Sequence, residues 1–153
     1  MKERYFALSI GIIFLLLGIA GFLPNLVSMH YHNPASPIPL SAPSVTLDDQ
    51  YGYLFNLFPT NFLRNVVHIM VGVLGIAGYA NFNTARLFNR VFAIVYSLAT
   101  LMGLFPYTNT MFGLIPLYGH NVWSNGLAAL AAAYFGFGKP TEYRDSMQAS
   151  PSP

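Results

Sequence analysis

Cysteine is absent from the 153 residues, and charged residues are scarce at 8%. The first absence excludes disulfides, thiolate catalysis and cysteine metal sites. The second excludes an ordinary soluble domain, whose residues are ~25% charged. No run of Lys or Arg occurs and the formal net charge is only +2, so nucleic acid is not an expected partner. The sequence also lacks a Ser-His-Asp arrangement, a phosphate-binding loop, a Gly-rich dinucleotide turn and paired carboxylates in an apolar segment. An enzyme is therefore not expected.

Apolar residues are abundant instead. They make up 54% of the chain, and mean hydropathy is +0.48. This composition belongs to an integral membrane protein. Four stretches stand out, at 5–23, 62–80, 87–105 and 120–138. Each approaches the ~20 residues that a helix needs to cross the hydrocarbon of a bilayer. The fourth is the most polar, because His120, Asn121, Ser124 and Asn125 crowd its start.

The chain reads as two copies of one helical hairpin. Residues 4–24, RYFALSIGIIFLLLGIAGFLP, lie over 86–106, RLFNRVFAIVYSLATLMGLFP, without a gap. Arg4 meets Arg86, Phe14 meets Tyr96, Gly21 meets Gly103 and Pro24 meets Pro106. The phrase LFNLFPTNFLRNVVHIMVG likewise matches MFGLIPLYGHNVWSNGLAA through Pro59 and Pro116. A one-residue gap after the prolines places Asn65 on Asn121 and His68 on Ser124. The first stretch has a charged start and an apolar core, but its counterpart is an internal membrane helix. It is therefore expected to be retained rather than cleaved as a signal peptide.

The expected fold is an all-α membrane protein of four transmembrane helices, arranged as two tandem hairpins of the same orientation. The four-helix domain spans 1–138, with repeat one at 4–80 and repeat two at 86–138. Lys2, Arg4, Arg86, Arg90, Lys139 and Arg144 lie on one side and Arg64 on the other. That asymmetry puts both termini in the cytoplasm of a cell membrane. An outer Pro-rich loop covers 24–50, where five prolines between 24 and 43 exclude a helix. The apolar segments YGYLFNLFP and MFGLIPLY are expected to lie in the outer interface. Residues 139–153 read as a disordered cytoplasmic tail.

Every span carries small residues at helical spacing. The packing positions are Ala7, Gly11, Gly18 and Gly21, then Gly72, Gly75 and Gly78, then Ala93, Ser97 and Thr100, and finally Ala128, Ala131 and Ala132. Such residues let helices approach closely in lipid. Arg64, His68, Gly72 and Gly75 fall within ~60° of one another on a helical wheel. The polar start of the second helix therefore faces protein. Asn61, Arg64, Asn65 and His68 are expected to meet His120, Asn121, Ser124 and Asn125 near the outer end of the bundle.

The hairpin ending in Gly-Phe-Leu-Pro, followed by LFPTNFLRNVVHIMVGVLGIAG, resembles the bacterial four-helix membrane protein family known as domain of unknown function 4383. Asn61, Asn65 and His68 match an Asn-x-x-x-Asn-x-x-His motif ahead of a small-residue run. The resemblance covers roughly 5–138 and implies a multi-pass membrane protein with no assigned reaction. Arg64 departs from the family pattern, and Ser124 stands at the motif's histidine in the second copy.

Two roles follow for the polar cluster. Helix starts leave N–H groups that must be satisfied inside the protein. Asn61 or Asn65 would cap the second helix, and His68 would donate to a carbonyl of the overlying segment. Alternatively, the cluster holds a ligand, because ionisable groups in membrane helices are often functional. The leading expectation is a non-enzymatic scaffold or accessory subunit, meeting another membrane protein or a second copy through Phe88, Phe92 and Tyr96. A cofactor- or small-ligand-binding protein using His68 is the alternative, and a small transporter or channel subunit the third. No cofactor and no metal are expected. A haem or a chlorophyll-type pigment on one imidazole stays chemically open, and His30-Tyr-His32 is a weak metal signal.

Overall fold

The computed structural model describes residues 1–29 and 52–138. Most of the Pro-rich loop, including His30 and His32, lies outside these residues, as does the tail from 139. The element order is α1 (Lys2–Ala20), a 3₁₀ turn (Pro24–Leu26), β1 (Val27–Met29), β2 (Gly52–Leu54), β3 (Phe58–Thr60), α2 (Phe62–Gly78), α3 (Phe82–Leu104) and α4 (His120–Phe137). The chain is mostly helical. Two helices, α1 and α3, are long and apolar enough to cross a membrane.

Two local expectations are corrected. The chain is not purely α: β1, β2 and β3 form an antiparallel sheet in that order. Phe55 and Asn56, at φ of +52° and +60°, form the turn between β2 and β3. Two positive φ values in a row give the primed turn that matches strand twist. No Asn-Gly or Asp-Gly marks it, so the hairpin read as an interfacial apolar segment. The stretch after α1 does hold one helical turn, at Pro24–Leu26, because proline tolerates a first helical position.

Glycine decides how α1 meets α2. A Cβ on Gly11 would stand 2.6 Å from the Ile76 nitrogen, and one on Gly75 would stand 2.7 Å from the Gly11 Cα. Backbone therefore lies against backbone, an approach that only small residues allow. The α3–α4 seam is also close at Gly136, where a Cβ would stand 2.9 Å from the Arg90 nitrogen. Ala93 and Ala132 are buried in this seam, but Ser97 faces outward. On α4 the buried stripe runs Asn121, Asn125, Ala129, Ala132 and Gly136, one residue on from the expected Ala128 and Ala131.

Between the seams sits an aromatic core. The Phe14 ring meets Phe92 edge-on at 5.2 Å and Tyr96 edge-on at 5.1 Å, while Phe92 stacks on Tyr96 at 4.1 Å. Phe92 and Tyr96 are buried, so they do not form the outward partner-binding face that their sequence suggested. On α3 they share the inward stripe with Asn89 and Ala93.

Arginines close one end of the bundle. Arg4 donates from Nε to the Tyr79 carbonyl and from Nη2 to the Ala80 carbonyl, at 2.8 and 3.2 Å. Arg86 does the same from Nε to Gly136 and from Nη2 to Gly138, at 3.0 and 2.9 Å. These bonds satisfy carbonyls that a helix end leaves free. Polarity is distributed inside out. Asn61, Asn89 and Asn121 are wholly buried, while Leu16, Leu87 and Leu130 are more than half exposed.

A buried polar partition with two cavities

The opposite end of the bundle is held by side-chain amides. Asn61 caps α2, its Oδ1 accepting the Arg64 backbone N–H at 2.9 Å. Its Nδ2 donates to the Leu114 carbonyl at 2.7 Å. Asn65 is not the cap. Its Nδ2 donates to the Gly21 carbonyl at 2.7 Å, and its Oδ1 accepts from the Thr60 hydroxyl. Gly21 is obligatory because any Cβ there would overlap the Asn65 amide. Asn121 donates from Nδ2 to the carbonyls of Pro59 and Pro116, at 2.8 and 2.9 Å.

Not every expected site residue joins the cluster. Ser124 donates back to the Asn121 carbonyl at 3.2 Å, the local bond that serine often makes within a helix. His120 is exposed, with its ring 6.2 Å from that of Phe58. Tyr53 and Tyr118 pack together on the sheet side, and burial pushes the Tyr53 phenol above its usual pKa.

Deeper in the bundle lie Arg64, His68 and Asn125, only 6%, 7% and 3% exposed. Arg64 donates from Nη1 to the Pro116 carbonyl at 3.1 Å, its one side-chain hydrogen bond. His68 makes none; its ring meets the edge of Phe14 at 4.8 Å. The expected donation from His68 to an overlying carbonyl does not occur. Asn125 also makes no side-chain hydrogen bond. Glu3 is the one acidic residue among the described residues, and it sits at the start of α1, at the arginine-closed end. Among the described residues Arg64 is thus a buried cation without a nearby anion, a costly arrangement unless something else satisfies it.

Two cavities flank this trio, and all three residues line both. The smaller, of about 160 Å³, opens between α1 and α4 past Ile13, Phe14, Leu54 and Thr60. The larger, of about 330 Å³, opens between α2 and α3 past Val67, Val95, Leu98, Ala99 and Met111. Tyr96 lines the larger one, a role its sequence did not show. Its alignment with Phe14, which lines the smaller, was the available signal. Among the described residues no three His, Asp or Glu side chains converge.

The family described as Domain of unknown function (DUF4383) matches residues 4–138. The chain belongs to this family. The DUF4383 match takes in all four helices, the three strands and every residue of the partition. Its description names no reaction, ligand or partner. No curated protein and no solved structure matches the chain.

Proposed function

We propose that this DUF4383 protein is a non-enzymatic, multi-pass membrane protein whose four helices all span the bilayer and whose interior binds a small anionic molecule. The observation that carries the ligand reading is Arg64. It is buried, has a single hydrogen bond, and stands beside His68 and Asn125, which have none, between two cavities. Buried polar groups are normally satisfied, and a charge inside a membrane is functional by default. The scaffold reading relied on an aromatic face that lies inside the bundle, so it has less support.

Several observations support the tandem-hairpin reading with both termini in the cytoplasm. Arg4 and Arg86 make matching bonds. Arg64 donates to the Pro116 carbonyl and Asn121 to the Pro59 carbonyl, a reciprocal exchange between halves. Gly21 abuts Asn65 as Gly103 abuts Val122. These pairings favour an ungapped register, in which Arg64 corresponds to Asn121 and His68 to Asn125, not to Ser124. Exposed aliphatic side chains around the bundle suit lipid. The arginine-closed end would be cytoplasmic.

The test is native mass spectrometry of the full chain released from its own membrane in mild detergent. A small molecule should be retained by the wild type and lost from Arg64→Gln. A wild-type mass equal to that of the bare chain, with an unchanged melting temperature in Arg64→Gln, would remove the reading.

A further inference from the structure

Resting on that ligand-binding reading, we infer that the ligand is a single-chain amphiphile with a carboxylate head, which seats on the Nε–Nη2 edge of Arg64 while its chain lies in the larger cavity and leaves sideways into the bilayer. The geometry at Arg64 selects the head. Nη1 is committed to the Pro116 carbonyl. The Nε and Nη2 donors are left over, and they form the fork that grips two carboxylate oxygens at once. His68 and Asn125 border the same place with free polar atoms, and either can complete the shell of a carboxylate.

The cavity selects the rest of the molecule. Beyond Arg64, His68, Asn125 and the Tyr96 ring its walls are apolar, including Val67, Val71, Leu98 and Met102. Its lip is formed by Val95, Leu98 and Met111, which are 52%, 55% and 38% exposed on the side of the bundle. A chain can therefore enter from the lipid without crossing the polar end. An inorganic anion would satisfy Arg64 but leave this space unfilled, forfeiting the dispersion contacts that a hydrocarbon chain makes. The smaller cavity carries Thr60 and Ser124 in its wall and suits a chain less well.

The two halves are alike in their walls but not in their charge. Leu54 and Phe58 line the smaller cavity as Met111 and Ile115 line the larger, and Ile13 and Leu17 correspond to Val95 and Ala99. At the position that aligns with Arg64 the second half has Asn121, which is neutral and whose Nδ2 donors both go to proline carbonyls. One strong anion seat therefore serves both cavities, and one ligand per chain is the expected stoichiometry.

The experiment uses the full chain in phosphatidylcholine nanodiscs with tritiated palmitate as probe. Saturable binding of one palmitate per chain is expected. Competition by palmityl alcohol, which has the chain without the charge, should be weaker by about tenfold or more, as should binding to Arg64→Lys, which keeps the charge but loses the fork. Ala99→Phe fills the larger cavity without touching the polar trio and should abolish binding, whereas Ala128→Phe in the smaller cavity should leave it. Equal competition by palmityl alcohol, or full binding to Ala99→Phe, overturns the inference. Arg64-dependent binding of acetate or chloride without palmitate binding overturns the amphiphile and leaves the anion site of the broader reading. Failure of palmitate, acetate and chloride alike overturns both.

Discussion

The Arg64 guanidinium reaches the Pro116 carbonyl at 3.1 Å, across from the first half of the chain to the second. Asn121 returns the contact by donating to Pro59 at 2.8 Å. Each half thus holds the segment that precedes the other half's helix. The difference between them is charge and donor number: two carbonyls use both N–H donors of an amide, whereas a guanidinium keeps most of its five. A cross-brace in one half has become a charged site in the other.

That contrast makes Asn121 the structural member of the pair. Asn121→Ala would leave the Pro59 and Pro116 carbonyls, both in wholly buried residues, without this donor. Pro116 keeps the Arg64 donor, so the expected loss is about 1–3 kcal/mol of stability, the usual cost of removing a donor from one buried polar group. Thermal unfolding in a fixed detergent measures it. An unchanged midpoint would show that the brace contributes nothing.

Gly11 and Gly126 give a matched pair of substitutions. An added methyl at Gly11 meets the Ile76 and Gly75 backbone at 2.6 and 2.9 Å, which cannot yield without parting α1 from α2. At Gly126 the nearest atom is the Thr100 Cγ2 at 3.4 Å, ordinary contact. Gly11→Ala should destabilise by about 1–3 kcal/mol, and Gly126→Ala should be neutral or stabilising through better helix propensity. Equal midpoints for the two variants would contradict the packing.

The sequence made the helices legible because four long apolar runs admit few alternatives to a helix, and their ends moved by only a few residues. Gly11, Gly18, Gly72 and Gly75 as packing positions were readable from local spacing, whereas the cap had two candidates, Asn65 and Asn61, and falls on Asn61. The sheet was not, since β2 and β3 are short and their turn uses Phe55 and Asn56 rather than glycine. The inward faces of Phe92 and Tyr96 were also hidden. Aromatic residues suit both a lipid surface and a core, and only Phe14, distant in sequence, decides between them. The gap before Asn121 sets His68 on the half-buried Ser124; without it His68 falls on Asn125, which is buried as His68 is.

His68 follows from the same reasoning. Its imidazole has no hydrogen bond to lose and contributes mainly an edge contact to Phe14. His68→Leu, of similar size, should change stability by no more than about 0.5 kcal/mol, in contrast to Asn121→Ala. Ligand retention should fall in the same variant, since it removes a polar wall from both cavities. A large drop in midpoint with unaltered retention would return His68 to a purely structural role.

The four-span reading is the easiest to break. Helices α2, of 17 residues, and α4, of 18, are the shorter pair, and α1 and α3 alone pass as spans by length and apolarity. If α2 also crosses, the α2–α3 connection lies in the cytoplasm and the α3–α4 connection outside. Asn83, exposed in the first turn of α3, and Tyr107, 85% exposed beyond its end, report on these two places. The chain has no cysteine of its own, so Asn83→Cys and Tyr107→Cys each carry a single label site. In intact cells a membrane-impermeant maleimide should modify Tyr107→Cys and spare Asn83→Cys until the membrane is opened. Modification of both from outside would mean that α3 does not cross, and modification of Asn83→Cys alone would invert the orientation assigned by the arginines.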